Sequence, residues 1–194
     1  FAFCPIHSID KNKLRIIFPA RMLRDKGVFE FYYAAKLIKR KYPHFVFTLC
    51  GDIDKANPTS LSIEQLERWN REGVVNWIGY QKNMARILAN HDIVILPSYR
   101  EGLPKSLIEA CAIGKPIITT DTNGCRECVI HNYNGFLVPV KDHLKIAKAI
   151  NNFIQNPNLL NKFGSNSRLL AEAEFDIRFV LAETMAIYKE LLNN

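Results

Sequence analysis

Glu101 and Glu109 stand eight positions apart in the stretch SYREGLPKSLIEACAIGKP, with Gly102, Leu103 and Pro104 directly after the first acid. Proline sits well in a first helical turn, where its missing N–H would have no partner anyway. The spacing therefore predicts a helix over 103–112, closed by Gly114 and Pro116. Gly102 would then lie at the helix N-terminus, where free backbone N–H groups and the positive end of the dipole favour a phosphate or the oxygens of a sugar. Glu101, just outside, is an acceptor for the hydroxyls of whatever is held there. Glu109 lies about two turns along, on the side of Lys105 and Ser106, within reach of a second polyol on the same ligand. Two acids spaced along one elongated molecule suit a sugar at each end of a diphosphate.

Plainer readings compete with this one. Glu109 can pair with Lys105 on a solvated face, although lysine before glutamate is the less favourable order and a cation in the first turn opposes the dipole. A glycosidase pair needs carboxyl groups roughly 5 to 9.5 Å apart. Eight helical positions cover about 12 Å, which disfavours hydrolysis by these two.

In PARMLRDKGVFEF, Arg21 and Lys26 follow the first apolar run. A guanidinium binds two phosphate oxygens at once, and an ammonium acts as a point charge. Together they can neutralise a diphosphate and stabilise it as it departs with added negative charge. The alternative is a pair of surface cations on a basic chain.

These groups need a scaffold. Apolar runs at 14–20, 45–51, 74–79, 92–98 and 116–121 read as strands, with a last short one at 135–140. Helical spacing predicts helices over 28–42, 62–72, 81–91 and 103–112, then a short one over 124–130. From about Asp142 the chain reads as helical, broken near Pro157 and Gly164. Continuous apolar runs mean strands buried on both faces, so the expected fold is α/β: a Rossmann-like parallel β-sheet flanked by helices. Ligands of such sheets sit beyond the carboxyl ends of the strands. Arg21, Lys26, Gly79, Tyr80 and Glu101 all follow strands, which places them on that edge. No repeat or linker divides residues 1–194, which read as one domain. The last helix, about 175–192, carries Phe179, Leu181, Ile187, Tyr188 and Leu191, and can pack on this core or on a part of the protein outside this sequence.

At 48% apolar and 23% charged residues, the composition excludes a disordered or fibrous chain. No stretch approaches the roughly 18 consecutive apolar residues of a membrane-spanning helix. The opening FAFCPIHSID lacks both a signal-peptide pattern and an initiator methionine, so the chain is expected to begin partway through a longer protein. A formal charge of +7 favours anionic partners. The cations Lys36, Lys39, Arg40 and Lys41 are compatible with peripheral contact to an acidic membrane, but a cluster at a helix C-terminus is also what the dipole favours, and that reading takes precedence. Five cysteines, an odd number, point to reduced thiols and a cytoplasmic setting. Cys125 and Cys128 form a C-x-x-C that Cys4 and His7 would complete as a zinc set, although nothing in the spacing brings the two pairs together.

Four stretches in order, ARMLRDKG, WIGY, EGLPKSLIEA and TNGCREC followed by NGFLVPVKD, resemble the nucleotide-sugar-dependent glycosyltransferases of family 4, with their two-lobed B-type fold. The resemblance covers about residues 14–192, as the C-terminal donor-binding lobe. It implies that Arg21 and Lys26 hold the donor diphosphate and act in catalysis together with Glu101. Glu101 would hold the donor sugar, with Gly102, Leu103 and Pro104 lining the site, while Glu109 takes the ribose hydroxyls and Gly79 and Tyr80 flank the base. It further implies a UDP-sugar donor, retention of anomeric configuration, and no metal or other cofactor, since Arg21 and Lys26 do the work of a Mg²⁺ ion. A glycan or lipid-linked acceptor would come through an N-terminal lobe that this sequence lacks, so turnover by this lobe alone is not expected. The stretch TTDTNGCRE with NGFLVPV looks most like bacterial enzymes of lipid-linked glycan and polysaccharide synthesis, which would act in the cytoplasm at the inner face of the membrane. Ala20, Asn132 and Cys128 depart from the family's usual residues.

Three rivals fit less well. A nucleotide-sugar epimerase on the same architecture needs acid/base groups at C2 of the sugar, and Glu101 alone is an obvious candidate. A nucleic-acid-binding module, suggested by the charge and by Trp69 and Trp77, would cluster its cations, which here are spread along the chain. A dinucleotide-binding domain would show G-x-G-x-x-G after the first strand, and none is present.

Overall fold

A computed structural model describes residues 1–4 and 13–192, apart from the side chains of 179, 180 and 183. His7 and its part in a zinc set lie outside the described residues. Six strands form one sheet: β1 (Arg15–Pro19), β2 (Val46–Cys50), β3 (Asn76–Trp77), β4 (Ile93–Leu96), β5 (Ile117–Thr120) and β6 (Gly135–Val138). Their order is β3-β2-β1-β4-β5-β6, and every pairing is parallel. The segments IIF of β1, IVIL of β4 and II of β5 are fully buried, which is why those runs are continuous and β-branched rather than alternating. As an edge strand, β3 pairs only over Asn76 and Trp77, shorter than the predicted 74–79.

The helices are α1 (Val28–Lys41), α2 (Ile63–Arg71), α3 (Met84–Ala89), α4 (Lys105–Ile113), α5 (Asn123–Cys128), α6 (His143–Gln155), α7 (Asn158–Glu174) and α8 (Ile177–Leu192). On α1, Phe31, Tyr32, Ala34, Ala35 and Ile38 recur at helical spacing and are buried. α6 packs beside α1, and α7 beside α4. The crossovers from β1 to β2 and from β4 to β5 run in opposite directions across the sheet. The gap between β1 and β4 is therefore the topological switch point, where the loops leaving the two strands diverge and open a crevice.

Three predicted details are corrected. α4 begins at Lys105 rather than Leu103. Pro104 is its N-cap, with φ −74° and ψ 107°, because a proline pushes the residue before it out of the helical region. Gly164 does not break the last helical region but lies inside α7. A Cβ there would meet the Gly114 carbonyl oxygen at 2.5 Å, so the glycine serves close approach of α7 to α4. A 3₁₀ turn over Arg24–Lys26 was not anticipated. On α8, Leu181, Ile187, Tyr188 and Leu191 remain more than half exposed, so they do not lie against this core.

Candidate functional site

The switch point is bridged by two of the residues singled out in the sequence. Lys26, at the end of the 3₁₀ turn after β1, donates from Nζ to Glu101 Oε1 at 2.7 Å, in the loop after β4. Backbone contacts fix both partners. The Tyr99 N–H donates to the Asp25 carbonyl at 2.8 Å, and Ser98 Oγ donates to the same oxygen at 3.1 Å. Below them the Tyr99 hydroxyl donates to Glu30 Oε1 at 2.8 Å, tying α1 to the Glu101 loop. Burial, together with the bond to the Glu30 carboxylate, holds the Tyr99 phenol far above its ordinary range, so it stays a donor. From the other side, α5 presses against the same loop. A Cβ at Gly124 would stand 1.8 Å from the Gly102 carbonyl oxygen, a contact only glycine permits.

On the same sheet edge lies a cleft of about 520 Å³ whose lining includes Arg21, Tyr80, Lys105, Ser106 and Glu109, but neither Lys26 nor Glu101. Arg21, Tyr80 and Glu109, 88 residues apart at the extremes, thus meet in one space, as the parallel sheet requires. Arg21 Nη1 pairs with Asp54 Oδ2 at 2.5 Å. Asp54 is held in turn by its N–H bond to Ser60 Oγ at 3.1 Å. The loop bearing Gly79 and Tyr80 is fixed by the Gly51 N–H to the Gly79 carbonyl at 2.9 Å and by Trp77 Nε1–H to the Gly51 carbonyl at 3.0 Å. That leaves the Tyr80 ring 67% exposed at the rim.

Glu109 is half buried, and desolvation lifts its carboxyl above the ordinary range, with Lys105 at 3.6 Å pulling it back in part. The Lys105–Glu109 pair weighed against a ligand role therefore forms, and it forms at the cleft rather than on a remote face. Since α4 starts at Lys105, Gly102 and Leu103 lie in the loop before it and are exposed, while Pro104 is buried. The first intrahelical bond comes from the Leu107 N–H to the Pro104 carbonyl, which leaves the Lys105 and Ser106 amides at the helix opening.

The C-x-x-C belongs to the core. Cys125 and Cys128 are fully buried on α5 beside Cys111, whose Sγ donates to the Cys128 carbonyl at 3.4 Å. Burial pushes the Cys111 thiol up to about 12 and the Cys128 thiol higher still. Among the described residues no group of three His, Cys, Asp or Glu side chains is placed to hold a metal ion. Sequence reasoning missed Asp54 as the partner of Arg21, and did not assign Ser106 to the lining of the cleft. Asp54 stands in the segment DIDKANP, which reads only as a polar loop until the fold brings it to Arg21.

The sequence matches the family model of glycosyl transferases group 1 over residues 3–170. It is 32% identical over 187 residues to the N,N'-diacetylbacillosaminyl-diphospho-undecaprenol alpha-1,3-N-acetylgalactosaminyltransferase of Campylobacter jejuni, covering 96% of this chain and 47% of that protein. The chain spans about half the length of the curated relatives it matches. The fold is shared with Anabaena Alr3699/HepE in complex with UDP, at a TM-score of 0.79 and 24% identity over 90% of this chain and 49% of the other. It is shared as well with the crystallised C-terminal domain of LpcC, a glycosyl transferase group 1 family protein of Francisella tularensis. There the TM-score is 0.75 and the identity 22%, over 91% of this chain and 97% of that domain.

Proposed function

The chain belongs to the glycosyl transferases group 1, and we propose that its sheet edge binds a nucleotide diphosphate sugar as the donor lobe of a sugar-transferring enzyme. The observation that carries this reading is the meeting of Arg21, Tyr80 and Glu109 in one cleft, on the same sheet edge as the Lys26–Glu101 bridge. An elongated donor laid along this edge presents its diphosphate to Arg21, Lys26 and the amides at the start of α4. Its sugar then lies at Glu101 and the loop of Gly102, Leu103 and Pro104, with the ribose hydroxyls at Glu109 and the base beside Gly79 and Tyr80. The chemistry assigned to these groups is charge stabilisation. As the bond from sugar to diphosphate breaks, negative charge grows on the departing oxygens, and two cations already fixed by Asp54 and Glu101 meet it with little reorganisation. Arg21 and Lys26 supply that positive charge in place of a divalent metal, and no other cofactor is assigned.

UDP-bound Alr3699/HepE supports UDP as the nucleotide, and the Campylobacter relative supports a lipid-linked or glycan acceptor. The LpcC C-terminal domain supports residues 1–194 as a C-terminal lobe whose acceptor-binding partner lobe lies outside this sequence. Retention of configuration and transfer of a hexose are assigned on the resemblance of the four stretches to the glycosyltransferases of family 4. A thermal-shift panel tests the reading: UDP and UDP-sugars are expected to raise the melting temperature, and Arg21→Ala or Glu109→Ala to remove most of the rise. A panel without any stabilising nucleotide, or one in which DNA stabilises equally, would refute it.

A further inference from the structure

On the flank of the sheet, α1 and α6 leave between them a groove of about 920 Å³ lined by residues that include Leu37, Leu144, Lys145 and Lys148 and share none with the donor cleft. Its surroundings carry an unusual charge pattern. Segments 28–41 and 131–155 hold seven cations and two acids. Three of the cations turn elsewhere: Lys39 Nζ donates to the Gly73 carbonyl at 2.6 Å, Lys36 lies over the Tyr32 ring, and Lys141 lies over the Tyr99 ring of the Glu101 loop. Arg40, Lys41, Lys145 and Lys148 are left to the α1/α6 face. One acid, Glu30, is buried on Tyr99. The other, Asp142, caps α6 by accepting from the Lys145 N–H at 2.9 Å. The dipole accounts for cations in the last turn of α1, but not for those on α6. Lys145 lies in the first turn, where a cation is unfavourable, and the last turn of α6 has no basic residue. Exposed apolar groups stand among these cations: Leu144 at 62%, Tyr33 at 46% and Val140 at 41%. Tyr33 and α6 adjoin, the ring packing on His143 at 5.6 Å between centroids.

We propose that this α1/α6 face is a docking surface for a membrane bearing anionic lipids. Arg40 and Lys41 on α1 with Lys145 and Lys148 on α6 match a plane of negative headgroups. Leucine, valine and tyrosine side chains between them match the boundary with the acyl chains, as in helices that lie flat at an interface. A nucleic-acid partner would use the cations but leaves Leu144 and Val140 without a role, and no exposed carboxylate of either helix opposes the headgroup plane. The face is distinct from the donor cleft, so the inference stands independently of donor binding.

Sedimentation with vesicles tests it. The chain is expected to bind vesicles of phosphatidylcholine with phosphatidylglycerol, to ignore pure phosphatidylcholine, and to be released by salt. With about 1 kcal/mol for each cation near the surface, the triple variant Arg40→Glu, Lys145→Glu, Lys148→Glu should bind on the order of a hundredfold more weakly. Leu144→Gln should weaken binding without altering the charge of the face. Both variants should keep the parent's melting temperature and its stabilisation by UDP, which separates lost docking from misfolding. Equal binding to neutral vesicles, or full binding by the triple variant, would overturn the proposal. So would displacement from vesicles by an oligonucleotide with preference for the oligonucleotide at every salt concentration, which would give the face to nucleic acid. Vesicle binding without stabilisation by any nucleotide would sink the donor reading and leave this one intact.

Discussion

Lys26 and Glu101 join the loops after β1 and β4 through a 2.7 Å ion pair whose side chains are only 22% and 11% exposed. In the free protein each therefore already occupies the other, and a donor held in the proposed pose has to replace that hydrogen bond for both partners. Removing either partner leaves a partly buried charge unmatched, at a cost of about 1.5–3 kcal/mol. Lys26→Ala and Glu101→Ala are each expected to lower the urea midpoint, while the double variant loses less than the sum of the two. UDP alone should still stabilise Glu101→Ala, because the sugar contact is what that variant lacks. Equilibrium unfolding with and without UDP and UDP-sugar measures all three, and strict additivity would show that the pair is not coupled.

Glu109 sits at a functional cost to stability. Its folded carboxyl is raised above the unfolded value of 4.5, chiefly by desolvation. Below that value both states are protonated and the group contributes nothing. As pH rises from 4.5 through the raised value, the unfolded chain ionises first and stability falls, and above the raised value the full penalty remains. Glu109→Gln is thus expected to raise the urea midpoint at pH 7 while weakening UDP binding roughly tenfold or more, since in the proposed pose the ribose hydroxyls lose an ionised acceptor. Calorimetric titration with UDP and unfolding at pH 4 and 7 give both quantities. A variant that is less stable at pH 7 would mean that Lys105 outweighs desolvation.

Most of this architecture was legible, and the reason is burial. IIF, IVIL and II had to be central strands because nothing else buries continuous β-branched runs on both faces, and once the strands were parallel, every loop after them shared an edge. The start of α4 was misread by two residues because Pro104 was placed inside the first turn behind Leu103, whereas a proline keeps the residue before it out of the helical region and here is itself the cap. Gly164 looked like a breaker since its role is a contact with Gly114, fifty residues earlier. The pairing of Arg21 with Asp54 was hidden for the same reason: two charged loop residues declare a partnership only after β1 and β2 have paired.

Two glycines, Gly102 in the Glu101 loop and Gly124 on α5 pressed against it, separate steric from ligand effects. At Gly124 a Cβ would meet the Gly102 carbonyl at 1.8 Å, whereas at Gly102 it would meet nothing within 4 Å. Gly124→Ala is expected to cost about 1–3 kcal/mol of overpacking and to lower the melting temperature by roughly 2–10 °C, displacing the loop and weakening donor binding with it. Gly102→Ala should melt within about 1 °C of the parent but reduce the stabilisation by UDP-sugar, because its new methyl group stands where the donor approaches the backbone. If Gly102→Ala binds UDP-sugar as the parent does, the sugar lies elsewhere.

His91 should set the acid limit of the fold. It is buried behind β2, with Nδ1–H donating to the Ile87 carbonyl at 2.7 Å and Nε2 accepting from the Thr48 hydroxyl at 2.9 Å, an arrangement that only the neutral ring satisfies. Desolvation, aided by Arg15 and Lys115, holds its folded pKa below 6.5, while the Ile87 carbonyl and Asp92 partly oppose this. The unfolded chain therefore takes up a proton first as pH falls below 6.5, and stability is lost from there down to the depressed folded value, with a slope of at most about 1.4 kcal/mol per pH unit for one group. Asp92, raised above 3.8 by burial, acts in the opposite sense on the acid side, so the parent's profile alone does not isolate the histidine. The difference between the parent and His91→Gln does. The variant is expected to be less stable at pH 7, where it loses one of the two hydrogen bonds, and the gap should narrow steadily between pH 6.5 and 5 as the parent alone pays for protonation. Urea midpoints at half-unit intervals measure it, and a gap that stays constant across that window would show that His91 titrates normally in the folded chain.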